Sequence, residues 1–174
     1  MAVLVEPSER YRAGFLAAEH EFVQAGGERV LDRQIALLSD FPRYVAALLA
    51  EQGGPPTEPG RVPASVFWLV DAETYVGRVN LRHRLNQRLR RLGGHIGYEI
   101  RPSLRRRGYG TRALALALEQ ARALGLGRVL LVCAEDNAGS RRVIEANGGN
   151  LEGIFRVRER QEPVCRYWID LHRR

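Results

Sequence analysis

The sequence predicts one α/β (α+β) domain, and three observations carry that reading. Apolar runs of strand length are interspersed with amphipathic runs of helical length along the whole chain. The 174 residues are 45% hydrophobic, ordinary for a globular protein and sufficient for one proper core. No internal repeat and no boundary in composition divides the chain, so residues 1–174 read as a single unit.

The elements follow in order. Val3 to Glu6 reads as a short first strand. Ser8 can cap a helix that runs to Gln24, where Gly26-Gly27 stops it. Asp40 caps a second helix, with Pro42 in its first turn and Gly53-Gly54 at its end. Residues 53–63 are rich in Gly and Pro and form a loop. Val66 to Val70 is a buried strand, and Thr74 to Leu81 is its partner across a turn near Asp71-Ala72-Glu73. Arg82 to Leu92 is either a short helix or a basic loop, and His95 to Arg101 is a strand. Thr111 to Leu124 carries Leu114, Leu116, Leu118 and Leu124 among alanines and is a helix packed on a sheet, ended by Gly125 and Gly127. Val129 to Cys133 is almost wholly apolar, the pattern of a strand at the centre of a sheet. Asn137 caps a helix to Asn147, and Asn150 to Val157 and Val164 to Leu171 are two closing strands.

Composition excludes several classes. No apolar run reaches membrane-spanning length. The N-terminal residues lack a basic region followed by an apolar core, so a signal peptide is not expected and a cytoplasmic location is. Cys133 and Cys165 lack nearby histidines and do not make a zinc site, so no metal is expected; a buried free thiol is the reading for Cys133. The net charge is +7 and every basic residue is Arg. Such a chain attracts polyanions. The arginines are spread along the chain, with clusters at 82–91 and 105–107, so nucleic-acid binding is the minority reading.

The most informative stretch is Arg105-Arg106-Arg107-Gly108-Tyr109-Gly110-Thr111, between a strand and a helix. A helix start offers unpaired N–H groups and a positive dipole end to a phosphate. Gly108 and Gly110 let the backbone approach a ligand without a Cβ in the way. The three arginines add charge and forked donors. No Gly-Lys-Ser/Thr follows, and no third glycine completes a dinucleotide fingerprint, so neither of those motifs is present.

Arg105, Gly108 and Gly110 match Arg/Gln-x-x-Gly-x-Gly/Ala, and the match resembles the pyrophosphate-binding signature of the GNAT superfamily of N-acetyltransferases. The surroundings agree. Gly97-Tyr98-Glu99-Ile100-Arg101-Pro102 resembles the strand that leads into the family's loop, and Asn137, Ser140 and Asn147-Gly148-Gly149 follow in the family's order. The resemblance covers residue 65 to the C-terminus and implies a mixed central sheet of six to seven strands, splayed at the acyl-CoA site and flanked by four helices. Residues 1–64 would then supply the first strand and acceptor-side helices, and 65–174 the acetyl-CoA-binding core.

The resemblance also implies a chemistry. Acetyl-CoA is the donor, and the acceptor is a primary amine of a small molecule or a peptide amino terminus that attacks the thioester directly. Backbone groups of Tyr98, Glu99 and Ile100 would hold the pantetheine arm. A backbone N–H among them, aimed at the developing oxyanion, would lower the barrier. Arg105, Arg106, Arg107, Gly108, Tyr109, Gly110 and Thr111 would hold the pyrophosphate, and Asn137 would contact the coenzyme as well as cap its helix. A homodimer is left open by the resemblance.

One departure matters. The family's ribosomal-protein N-terminal acetyltransferases carry a Glu base five residues before this Asn and a Tyr acid seven after it; here those positions are Val132 and Ile144. Glu99 is therefore the first candidate for the base and Tyr98 for the acid, with His95, Glu135 and Asp136 behind them. Each has a plainer role: an ion pair for Glu99, core packing for Tyr98, a local hydrogen bond for His95. His83, Asn86, Gln87 and the arginines of 82–91 are candidates for the acceptor pocket, as are Tyr167 and Trp168 for its lining, with core packing the safer reading for Trp168. A coenzyme A-binding domain with little catalysis is the alternative that the missing proton carriers motivate.

Overall fold

The hairpin of β2 (Ala64–Asp71) and β3 (Thr74–Arg82) organises the first half of the molecule. Its first strand carries the unbroken apolar run Val66 to Val70, and its tight turn places Ala72 at a φ of 51°. The computed structural model describes residues 1–26, 40–52 and 60–171. The expected glycine stops at Gly27 and Gly53-Gly54, and the loop residues 53–59, lie outside them.

β1 (Val3–Val5) and β4 (Ile96–Ile100) flank the hairpin, giving an antiparallel sheet in the order β1-β2-β3-β4. A second antiparallel sheet has the order β5-β7-β6, from β5 (Arg128–Ala134), β6 (Asn150–Phe155) and β7 (Val164–Asp170). The seven strands among the described residues fall within the expected six to seven. The single mixed sheet expected is instead two antiparallel sheets: the expected splay between β4 and β5 leaves no ladder there, so β5 is an edge of its own sheet rather than a central strand.

One residue closes the seam. His95 donates its backbone N–H to Leu130 O at 2.7 Å, and its side-chain Nδ1 accepts from Leu130 N–H at 2.9 Å. Gly94, at a φ of 64°, makes this approach feasible, since a Cβ there would lie 2.3 Å from Leu130 O. Accepting at Nδ1 places the His95 proton on Nε2.

Five helices cover the sheets among the described residues. α1 (Arg12–Gln24) follows a short 3-10 turn over Glu9–Tyr11, whose cap is Ser8. α2 is Phe41–Ala50, capped by Asp40 Oδ1 on Arg43 N–H at 3.1 Å. α3 is Gln87–Leu92, which settles the open choice for 82–92 as a loop and then a helix. α4 is Tyr109–Ala123 and α5 is Ala138–Ala146, capped by Asn137 Oδ1 on Ser140 N–H at 2.9 Å. Such caps contribute about 1 kcal/mol each.

Two cores result. Phe15, Phe22, Phe41, Val45, Trp68 and Tyr75 pack α1 and α2 on one face of the first sheet. On the opposite face a larger core takes Val79, Ile96 and Ile100 from the first sheet and Leu131, Cys165 and Tyr167 from the second. The small residues Ala113, Ala117 and Ala121 bring α4 down onto this core. The ladder is broken, but the apolar core runs unbroken beneath the break. In β7, Tyr167 is fully buried and donates to Glu145 Oε1 at 2.9 Å, so it is core rather than cleft lining. Trp168 faces the other way, half-buried under Arg128.

His95 makes stability depend on pH. Burial, then the charges of Arg90 and Arg82, push its imidazole down to about 4 from the ordinary 6.5. The folded state binds the proton less well than the unfolded chain. The contribution, about 3 kcal/mol, is therefore complete above pH 6.5 and lost as pH falls toward 4. Urea unfolding across pH 7.5 to 4 should show this loss, and His95→Asn should remove its histidine component.

Candidate functional site

Past His95, β4 and β5 part and leave a cleft of about 230 Å³. Its walls are Ile96, Gly97 and Tyr98 from β4 and Leu131, Val132, Cys133 and Ala134 from β5. Asn137, Ser140 and Ile144 close one end, and Arg160 reaches it from the β6–β7 connection. Strand alternation sends Tyr98 and Cys133 to the α4–α5 side and Gly97, Val132 and Ala134 to the other. The cleft is thus bounded from both faces of the sheets.

Tyr98 lines this cleft. Its hydroxyl lies 2.9 Å from Ser140 Oγ, and burial pushes its pKa up to about 12. A phenol so placed stays protonated at neutral pH and can donate. Cys133, pushed up to about 11 by burial, is a neutral thiol beside the same serine. Glu99 points to the other face, where Arg78 Nε pairs with its Oε1 at 2.5 Å. Its carboxylate is not among the groups lining the cleft.

The Arg-Gly turn lies where β4 ends. Arg105 Nε donates to Ile100 O at 3.1 Å, and its guanidinium sits over the Phe22 ring at 5.6 Å. Arg105 therefore braces the turn, while Arg106 and Arg107 are exposed. Arg106 takes a φ of 63° and Gly108 one of 80°. The first intrahelical bond of α4 runs from Arg112 N–H to Gly108 O at 3.1 Å, so the amides of Gly108 to Thr111 precede it. Tyr109 is anchored by its hydroxyl on Asp71 Oδ2 at 2.9 Å, and Thr111 O accepts from Asn147 Nδ2 at 3.3 Å.

The two glycines differ in purpose. A Cβ on Gly108 would meet nothing within 4 Å, so that side of the turn is open to a ligand. A Cβ on Gly110 would meet Val143 Cγ2 at 3.1 Å, with Tyr98 and Ile100 close behind. Gly110 serves the packing of α4 against α5 and β4, not the approach of a ligand. The helix also starts at Tyr109 rather than Thr111, which places Gly110 inside its first turn.

Sequence reasoning missed Glu21. From α1 it accepts from Arg101 Nε at 2.8 Å, from Ser103 N–H at 3.0 Å and from the Ser103 hydroxyl at 3.0 Å. The Arg101 hydrogen bond leads in pulling its carboxyl down to about 2. Glu21 thereby fixes the segment between β4 and the Arg-Gly turn. Glu21→Gln should cost about 2 kcal/mol in chemical denaturation at pH 7, the range for a hydrogen bond to a charged group. With the folded pKa below the ordinary 4.5, that contribution is present above pH 4.5 and is lost as pH falls toward 2. Asn80 was also missed. It pairs with Gly97, and its buried Oδ1 has no donor among the described residues.

The remaining candidates are spread out. His83 Nε2 lies 2.9 Å from Ser65 Oγ. Asn86 caps α3 and donates to Gly60 O at 2.8 Å. Arg91 pairs with Glu159 at 3.0 Å, and Arg82 donates to Gly93 O and Gly94 O at 3.1 Å each. Glu135 and Asp136 do not line the cleft. The described residues contain no metal-ligating cluster and no helix long and apolar enough to cross a membrane.

The comparisons with known proteins agree with this geometry. Solved structures share the fold, the following three among them. Mycobacterium smegmatis RimJ, solved with CoA-disulfide, is 21% identical with a TM-score of 0.69, covering 97% of this chain and 81% of its own. The Salmonella typhimurium acetyl transferase that modifies the N-terminal serine of a ribosomal subunit protein is 16% identical with a TM-score of 0.67, over 97% and 94%. A further Salmonella typhimurium acetyltransferase, solved with its cofactor acetyl-CoA, is 12% identical with a TM-score of 0.59, over 100% and 95%. No curated protein matches the sequence. The model of the acetyltransferase (GNAT) domain matches residues 34–150, more than half of the chain. The cleft between two parted strands and the Arg-Gly turn beside it are thus parts of an acetyl-CoA-dependent enzyme, and the chain belongs to the GNAT acetyltransferase family.

Proposed function

We propose that this enzyme moves an acetyl group from acetyl-CoA to a primary amine, on a small molecule or a peptide amino terminus, by direct attack. The observation that carries this reading is the cleft itself, which both parted strands line and whose wall residue Tyr98 lies close to Gly110 in the first turn of α4. A donor can enter from one face and an acceptor from the other.

The residues divide accordingly. The exposed side chains of Arg106 and Arg107 and the free amides of Gly108 to Thr111 hold the pyrophosphate, with Arg105 bracing the turn. Main-chain groups of Tyr98, Glu99 and Ile100 hold the pantetheine arm, and Asn137 borders it. An alkylammonium with a pKa near ~10.4 must lose a proton before it attacks. Glu99 takes that proton on the acceptor face. The amine nitrogen bonds to the thioester carbonyl carbon, the carbon–sulfur bond breaks, the leaving thiolate takes the Tyr98 proton, and the second proton lost by the amide nitrogen restores the Tyr98 phenol. Asn80, with its unused oxygen next to Gly97, is placed to accept a hydrogen bond from the amine.

A thermal-shift titration with acetyl-CoA, with ATP and NAD as controls, tests the donor site. Binding to the folded state alone raises stability by RT ln(1 + [L]/Kd). A selective rise with acetyl-CoA is expected, and an equal rise with any polyphosphate would reduce the turn to a generic anion patch. A panel of small amines and peptides then tests turnover. Val132 and Ile144 favour a second reading, a coenzyme-binding domain with little catalysis, and turnover with any panel member would rule it out.

A further inference from the structure

The seam between the sheets is closed at a single residue, and that residue uses its side chain as a piece of backbone. Leu130 N–H points at β4, where a ladder would supply a carbonyl. The acceptor it finds is His95 Nδ1 at 2.9 Å, while the His95 N–H reaches Leu130 O at 2.7 Å. The His95 carbonyl accepts from Arg82 N–H at 2.8 Å, so the residue is tied to both sheets. No other main-chain bond joins β4 to β5 among the described residues. Gly94 fits against Leu130 O only because it lacks a Cβ.

We infer that His95 is a positioning residue for acetyl transfer, a two-point clasp that fixes where β4 and β5 begin to part. The inference rests on the proposed reading of the cleft as the acetyl-CoA site. The residues that follow His95 and Leu130, namely Ile96, Gly97, Tyr98, Leu131, Val132 and Cys133, are the cleft walls. A slip at the clasp therefore widens the site where the thioester lies. Trp168 packs edge-on to the imidazole from β7, at 6.4 Å between ring centroids, and limits how the ring can turn. Burial first, and then the charges of Arg90 and Arg82, disfavour a second ring proton and so keep Nδ1 an acceptor.

The experiment compares the wild-type chain with His95→Asn and His95→Leu. The Asn side-chain oxygen can stand close to where Nδ1 stands; Leu offers no acceptor. In the unliganded wild type, a nitrogen–nitrogen coupling across the Leu130 N–H to His95 Nδ1 bond should be seen by NMR. His95→Leu should raise the Kd for acetyl-CoA and lower kcat, together by about 100-fold in kcat/KM, the scale of a 1 Å misplacement. His95→Asn should recover to within about threefold of wild type, since the single acceptor is restored. Absence of the coupling would overturn the clasp. So would a folded His95→Leu with wild-type kinetics, or a folded His95→Asn that binds acetyl-CoA and turns over no better than a clasp-free protein. If His95→Leu does not fold, the coupling and the Asn variant decide the matter. Failure of the wild type to bind acetyl-CoA would instead overturn the reading of the cleft, and with it the role in transfer; the coupling, read without ligand, tells that failure from failure of the clasp.

Discussion

Gly108→Glu is expected to raise the Kd for acetyl-CoA by at least about 100-fold while the protein remains folded. Two like charges about 4 Å apart repel by about 4 kcal/mol at an effective dielectric of 20, and part of that is screened, so two orders of magnitude is a conservative figure. The fold should survive because a Cβ at this position meets nothing within 4 Å. The φ of 80° carries a penalty of its own, about 1–2 kcal/mol for a residue with a side chain. Gly108→Ala separates the two effects: it takes the conformational penalty without the charge and should shift the Kd by less than about tenfold. Calorimetric titration of both variants with acetyl-CoA is the measurement. Unchanged affinity in Gly108→Glu would remove the turn from the donor site.

Glu99→Gln is expected to lower kcat by about 100-fold with little change in acetyl-CoA affinity, in the range for loss of a positioned base. The substitution preserves shape beside Arg78 and removes the proton acceptor. Tyr98→Phe should lower kcat by about 10- to 100-fold on the same argument, applied to the acid. Its phenol, held near a pKa of about 12, stays protonated across the working range, so its loss should leave the form of the pH profile unchanged. The amine sets that form. Single-turnover kinetics with saturating acetyl-CoA check both. Full turnover in Glu99→Gln would assign proton removal to water or to the region of Glu135.

The parts of the fold that could be read from sequence are those governed by neighbours in the chain. The Asn137 cap and the alanine-rich face of α4 each carry a local signature, and each is where that signature puts it; the apolar run of β5 marks the strand but not its place, which is an edge. β7 could have been read further. Cys165, Tyr167 and Ile169 share one face and Arg166 and Trp168 the other, so alternation alone assigns Tyr167 to the core. Other features have no local sign. Whether β4 pairs with β5 or parts from it leaves the same hydrophobic pattern in both strands. Glu21 meets Arg101 across 80 residues of chain. The side-chain bond of His95 needs the position of Leu130, 35 residues away. The need for glycine at 110 comes from Val143 on another helix. Around the candidate site, the strand, turn and helix that carry Arg105 to Thr111 were legible because they are contiguous, and the ion pair of Glu99 was foreseen as its plainer role without its partner; the bracing bond of Arg105 was not, because the turn's path and Phe22 of another helix set it.

The parted strands also bear on how such a protein can change over generations. Past Leu130, β4 and β5 present main-chain groups to each other across a gap that no strand fills. On the proposed reading, the donor is gripped there by groups that every amino acid but proline carries in full, so few point mutations delete them. The acceptor meets side chains instead, such as Asn80, Glu99 and Arg160. Drift can rewrite the acceptor's side of the site residue by residue while the donor's side persists, so new acceptors can be tried without giving up the acetyl source.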